Sequence, residues 1–230
     1  MIGRLFFMKE TTMRRFPEIP ALTTLLFAAG VVLFFTPAAA LPYKVAYPVL
    51  LLAVSIFLLR RRELLLIGLA LLLSAAGDAA GAKGLFIPQM AFFALAHAAY
   101  IGWFLPRARH TPRMASLVVV VPLLAFLFIA IVPNATVPAE RIGVAVYGTV
   151  IAGMLYSVLQ YAGAGAAGFR CAALLFVFSD AVIAWSRFVG PVPARTWVVM
   201  ITYYLAQYLF YRFALKSSLT TPASPPAAES

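Results

Sequence analysis

Residues 63–82 read ELLLIGLALLLSAAGDAAGA, a run whose only charged positions are Glu63 at its edge and Asp78 within it. A helix rising about 1.5 Å per residue needs about 20 apolar residues to cross the hydrocarbon core of a bilayer, and this run has the length. Inside lipid the backbone must satisfy its own hydrogen bonds, which an isolated span achieves only as a helix. A transmembrane barrel strand would alternate apolar and polar residues, and no such alternation is present. Arg60, Arg61 and Arg62 bound the run on one side and Gly81 to Gly84 on the other.

Similar runs recur on both sides of it. Spans are expected near 20–36, 42–59, 63–82, 86–105, 114–132, 141–161, 169–188 and 196–215. Pro37 and Pro42, Pro106 to Pro112, Pro133 to Pro138, Gly163 to Gly168, and Pro191 to Pro193 mark the remaining breaks, as residues that end or kink helices should. Of the 230 residues, 64% are hydrophobic and 11% charged, with a mean hydropathy of +0.97. A soluble domain carries about a quarter charged residues, so that class is excluded. The expected fold is all-α, a polytopic integral membrane bundle of about eight transmembrane helices. A basic cytoplasmic segment, 1–19, precedes a single transmembrane domain, 20–216, and a disordered tail, 217–230, with no apolar face to bury, follows it. Basic residues before the first run and Ala38-Ala39-Ala40 after it imitate a secretory signal. Its removal would leave an odd number of helices, so an uncleaved span is expected.

The formal charge of +11 does not signal nucleic acid, because the 18 Lys and Arg residues sit beside the apolar runs. That is the distribution of topology signals and of contacts with anionic membrane lipids. With the N-terminus inside, thirteen of them fall on cytoplasmic segments, Arg60 to Arg62, Arg107, Arg109, Arg113, Arg170, Arg212 and Lys216 included. Five fall outside: Lys44, Lys83, Arg141, Arg187 and Arg195. The bias puts both termini in the cytoplasm, and the expected location is a bacterial inner (plasma) membrane. Cys171 is the sole cysteine and His97 and His110 the sole histidines, too few for a multi-histidine zinc site. No metal and no organic cofactor is expected.

Two carboxylates lie where lipid-facing helices should have none. Asp78 follows Gly77, roughly 7–8 Å below Lys83, and Asp180 follows Ser179, roughly 10 Å below Arg187. An ionisable side chain at that depth is unfavourable by at least a few kcal/mol unless it faces a partner or a polar cavity. Ser74 shares a helix face with Asp78. His97 and Tyr100 on the fourth span, and Tyr204 and Gln207 on the eighth, are each three apart, and Tyr203 adjoins the second pair. All could point to one interior or bond neighbouring helices. Lys44 opens the second span and is either an interfacial anchor or an anion contact. Each half carries its acid late in its third helix and a polar-aromatic pair in its fourth. That pattern suggests two parallel four-helix repeats facing one central cavity.

The stretch SAAGD at 74–78, followed by FFALAHAAY at 92–100, resembles the YhhN-like family of membrane proteins, which includes the lysoplasmalogenases. The second block, LLFVFSDAVIA at 174–184 with MITYYLAQYL at 200–209, carries the same resemblance. One departure concerns Lys44, which precedes Val45 where the family has Lys-Pro. The resemblance implies hydrolysis of the vinyl ether of a lysolipid, a lysoplasmalogen, to a fatty aldehyde and glycerophosphoethanolamine or glycerophosphocholine. A vinyl ether offers no carbonyl for a nucleophile. Its cleavage begins with proton transfer to carbon, and water then captures the oxocarbenium ion. One protonated and one ionised carboxyl, Asp78 and Asp180 in either order, form a suitable acid/base set. Lys44 would meet the phosphate, and Ser74, His97, Tyr100, Ser179, Tyr203, Tyr204 and Gln207 would orient acids, water or substrate. A proton-coupled transporter and a non-catalytic lipid-binding protein are the alternatives that paired intramembrane acids leave open.

The topology is directly testable. Single cysteines at Arg61 and at either terminus are expected to label only from the cytoplasm, and one at Val137 only from outside. Labelling of position 137 from the cytoplasm alone would overturn the orientation.

Overall fold

The computed structural model describes residues 18–37, 41–109 and 114–220. Eight α-helices account for most of them: α1 (Glu18–Phe35), α2 (Tyr47–Leu58), α3 (Leu65–Ala82), α4 (Phe86–Phe104), α5 (Leu117–Ala125), α6 (Pro138–Gln160), α7 (Ala166–Phe188) and α8 (Arg195–Thr220). No strand is present among the described residues, where Ala108 and Tyr161 form one isolated bridge. Five helical segments are long and apolar enough to cross a membrane. The chain is therefore a multi-pass integral membrane protein. His110, the basic segment up to residue 17 and the tail from 221 lie outside the described residues.

Boundaries differ from the sequence expectation by as much as five residues, at the start of α2 and the end of α8. Residues 42–46 form a turn through Tyr43, whose φ is 60°, so α2 begins only at Tyr47 with Pro48 in its first turn. A proline there lacks only an N–H that no intrahelical acceptor would have met. At the other end α8 continues to Thr220, past residue 216, and Ser218 there accepts a bond from Arg61 at 3.1 Å.

Pro122 shapes the fifth span. It lies inside α5 and removes one N–H from the ladder, and the helix continues as a π-helical segment, Phe126–Ile131. That wider turn faces the interior with Leu127 and Ile131 buried. α5 leans chiefly on α6 and leaves Val118 and Val121 exposed, as is Ile129 of the π-helical segment.

The closest pairs are α3 with α4 and α7 with α8. Around them α1 packs on α2 and α2 on α3, as α5 packs on α6 and α6 on α7. The halves join where α4 meets α6 and where α2 and α3 meet α8. Packing order is thus alike in the two halves. With no hydrophobic drive between helices in lipid, close approach at small residues supplies the cohesion. Gly77 is such a point, since a Cβ built there would sit 2.8 Å from the Phe93 ring. Polar bonds between helices add to it, including Ser55 with Tyr211 at 2.8 Å and the Trp103 indole to the Glu63 carbonyl at 2.8 Å.

An aromatic cluster closes one end of the bundle. Trp103, Phe104, Tyr161, Phe169 and Phe210 pack with neighbouring ring centroids 4.7–6.3 Å apart, all of them buried. The opposite end, where Lys83, Arg141 and Arg187 sit, is open enough to hold a cavity.

Gly77→Val would drive a side chain into Phe93. Overpacking of this kind is expected to destabilise by about 1–3 kcal/mol, read as a lower Tm of monodisperse protein in detergent. An unchanged Tm would mean that α3 and α4 do not approach this closely.

Candidate active site

Both intramembrane carboxyl groups are met by tyrosines from other helices. On α3, Ser74 and Asp78 stand one turn apart and both are buried. The Tyr203 hydroxyl, from α8, donates to Asp78 Oδ2 at 2.7 Å. One turn along α8, Gln207 accepts from the Tyr100 hydroxyl of α4 at 2.9 Å. The Gln207 amide nitrogen makes no well-aligned hydrogen bond but lies alongside Tyr203, and Ser74 Oγ has no protein partner.

The second station joins α4, α6 and α7. Tyr147 of α6 donates to Asp180 Oδ2. The Tyr147 oxygen also lies 3.2 Å from His97 Nε2, itself 3.9 Å from the same carboxyl oxygen. A hydroxyl that gives its proton to Asp180 can accept one from the ring at Nε2. His97 Nδ1 has no protein partner. A chain of donors, His97 to Tyr147 to Asp180, results.

Aromatic rings stand between the stations. Phe93, Phe176 and Tyr203 meet edge to face at 5.4–6.1 Å, with Phe93 against Gly77 and Phe176 against the His97 ring at 4.7 Å.

A cavity of about 80 Å³ opens beside the second station. Asp180, Tyr147 and Gln89 are its polar lining, and Phe93, Leu127 and Phe188 are among its apolar walls. Asp180 is 15% exposed at its side chain, whereas Asp78 does not line the cavity. The space suits the reactive end of a chain together with water, whose share of liquid volume is about 30 Å³ a molecule. It does not enclose a whole lipid. Among the described residues, no three His, Cys, Asp or Glu side chains gather as metal ligands would.

The model of the YhhN family matches residues 39–213, which include every polar group just described. The chain belongs to the YhhN family. It is 37% identical over 149 residues to Lysoplasmalogenase TMEM86B of Homo sapiens, covering 64% of this chain and 62% of that protein. The Rattus norvegicus protein of the same name is 35% identical over 151 residues, covering 64% and 60%. Lysoplasmalogenase TMEM86A of Bos taurus is 35% identical over 173 residues, covering 70% of each chain. The chain thus spans about three fifths of the length of the TMEM86B relatives. No solved structure matches significantly.

Within this YhhN-family bundle, the residues expected from sequence divide into groups. Asp78, Tyr203, Ser74, Tyr100 and Gln207 come together in one buried seam, and Asp180 and His97 in the other station. The expectation of one cavity shared by both acids is corrected, since the aromatic layer separates Asp78 from the space that Asp180 lines. Tyr204 is a second correction, because its hydroxyl donates to the Val45 carbonyl at 2.8 Å and bonds no carboxylate. Ser179 donates to the Val199 carbonyl at 3.2 Å and joins α7 to α8. Lys44 likewise falls outside the cavity: Nζ donates to the Thr36 carbonyl at 3.1 Å and lies 5.9 Å from the Phe34 ring. The turn at 42–46 carries it to the end of α1.

Tyr147 is the residue that the sequence did not disclose. A single tyrosine in GVAVYGTV resembles any interfacial aromatic. Its signal was depth: Tyr147 lies nine residues after Pro138, and Asp180 eight before Phe188, on oppositely directed spans.

Tyr203→Phe leaves the Asp78 carboxyl without its donor, a buried group unsatisfied by about 1–3 kcal/mol. Combining it with Asp78→Asn is expected to give a stability loss smaller than the sum of the single losses, as coupled contacts do. Strict additivity in a thermal or denaturant series would deny the contact.

Proposed function

We propose that this protein is a membrane-embedded hydrolase that cleaves the vinyl ether bond of lysoplasmalogens. The products are a fatty aldehyde and a glycerophospho-alcohol, glycerophosphoethanolamine or glycerophosphocholine. The observation that carries the proposal is the Asp180 carboxyl, held by Tyr147 beside an apolar cavity at membrane depth. The relatives, named as lysoplasmalogenases, supply the reaction class.

The chemistry runs from the geometry. Asp180 Oδ2 is engaged by Tyr147, which leaves Oδ1 to carry a proton toward the cavity. That proton goes to the vinyl carbon distal to the ether oxygen, and the electron pair of the double bond forms the new C–H bond. The cation left on the adjoining carbon is shared with the ether oxygen. Asp180, now a carboxylate, is stabilised by the Tyr147 hydroxyl and, through it, by His97. Water adds to the cationic carbon and returns its proton to Asp180. The resulting hemiacetal collapses as its carbon–glycerol oxygen bond breaks, giving aldehyde and alcohol. Asp78 stays behind the aromatic layer, where its bond from Tyr203 joins α3 to α8.

The membrane setting fits the same proposal. The cavity belongs to the end of the bundle with five basic residues, the outer side under the charge bias, in an inner (plasma) membrane with both termini cytoplasmic. A single-chain lipid held at the interface has its vinyl ether slightly deeper than its phosphate, at the level of Asp180.

Purified protein incubated with alkenyl lysolipids is expected to release aldehyde detectable by mass spectrometry, at a pH where the lipid alone is stable. Asp180→Asn keeps the shape and loses the transferable proton, so kcat should fall by about 10²–10⁴-fold with the fold intact. Asp78→Asn should lower kcat less, because its carboxyl does not reach the substrate. Near-normal kcat in Asp180→Asn would sink the mechanism.

A further inference from the structure

The outer lip of the cavity carries a pair of charges that the proposed chemistry does not use. α6 presents Glu140, Val144 and Tyr147 at spacings of four and three residues, a single helix face. α7 presents Asp180, Ala184 and Arg187 in the same way. The middle members of both faces line the cavity, as do Tyr147 and Asp180. The faces meet at two levels: Tyr147 with Asp180 at the deeper one, and Arg187 Nη2 with Glu140 Oε1, 2.6 Å apart, at the lip. The Arg187 guanidinium lies 3.7 Å from the Phe86 ring centroid and 5.7 Å from that of Phe188, and both rings line the cavity. Arg187 and Glu140 side chains are 39% and 21% exposed. An ion pair this accessible adds little to stability, and it is open to exchange with a ligand.

We propose that Glu140 and Arg187 form the head-group subsite for a single-chain zwitterionic phospholipid, an inference that rests on the hydrolase proposal above. The phosphate docks on Arg187, whose planar fork of donors matches phosphate oxygens. The ammonium of the head group docks on Glu140. One protein ion pair is exchanged for two protein–ligand pairs, and no charge is left alone. A lipid ending in a bare phosphate would occupy Arg187 and leave Glu140 facing an anion, which is selection by repulsion.

The distances agree with this arrangement. Arg187 follows Asp180 by seven residues, about 10 Å along the helix. In an alkenyl glycerophospholipid seven bonds separate phosphorus from the vinyl carbon that receives the proton. Extended at roughly 1.2 Å a bond, as a backbone chain is, they span about 8 Å. A phosphate held at Arg187 therefore brings that carbon to the Asp180 carboxyl.

The test uses saturated ether lysolipids, which contain no vinyl ether and so bind without being consumed. Three probes with the same chain are titrated onto the full-length protein in a maltoside detergent: alkylglycerophosphocholine, alkylglycerophosphate and alkylglycerol. Wild type is expected to bind the phosphocholine lipid roughly tenfold more tightly than the phosphate lipid. Glu140→Gln should erase most of that preference. Arg187→Gln should weaken both phosphate-bearing lipids by roughly tenfold while leaving alkylglycerol binding unchanged. If both variants bind all three lipids like wild type, or weaken all three equally, the pair is a structural contact and the subsite is wrong. If the expected pattern appears but the alkenyl phosphocholine lipid is not cleaved, the hydrolase proposal fails and the subsite stands.

Discussion

A carboxyl group in a membrane-spanning helix must be met by protein, because hydrocarbon offers it neither hydrogen bonds nor counter-charge. Two such groups occur in this chain, and each draws its donor from a different helix. Asp78 on α3 takes a hydroxyl from α8. Asp180 on α7 takes one from α6, with His97 of α4 behind it. Those bonds fix the rotation of α8 about its axis and bring α4, α6 and α7 to a common point. The van der Waals contacts at Gly77 then set how closely α3 and α4 approach. In a medium where apolar surface alone does not drive helices together, these few polar contacts select among otherwise similar packings.

The two acids share a type of partner and differ in access. Asp78 is sealed behind Phe93 and Tyr203, whereas Asp180 opens on a cavity with almost no other polar group in its wall. A substrate in that cavity would therefore touch one acid and not the other. The π-helical turn after Pro122 contributes Phe126 and Leu127 to that wall. α5 makes few contacts elsewhere, so one part of the cavity's apolar wall rests on a loosely held helix.

Much of this plan could be seen in the sequence, for identifiable reasons. Spans are set by long apolar runs, and intramembrane acids are conspicuous because they are expensive. Partners are harder to see, since neighbouring positions on a helix point about 100° apart. Tyr203 and Tyr204 are adjacent, yet one bonds Asp78 and the other the Val45 carbonyl. No local signal distinguishes them. The place of Lys44 depends on the turn through Tyr43, whose left-handed backbone is no glycine's. Tyr147 carries no signal of its own, because a lone tyrosine in a span has ordinary uses. A barrier such as Phe93, Phe176 and Tyr203 arises from three segments distant in sequence, and only tertiary packing reveals it.

The aromatic cluster of Trp103, Phe104, Tyr161, Phe169 and Phe210 has a consequence for the cell rather than for the bundle. Ionisable groups within a membrane become a path for protons only where other polar groups or water continue the line. Rings packed at centroid distances of 4.7–6.1 Å are poorly suited to continue one. A carboxyl group can then sit at membrane depth without opening a route through the bundle at this end.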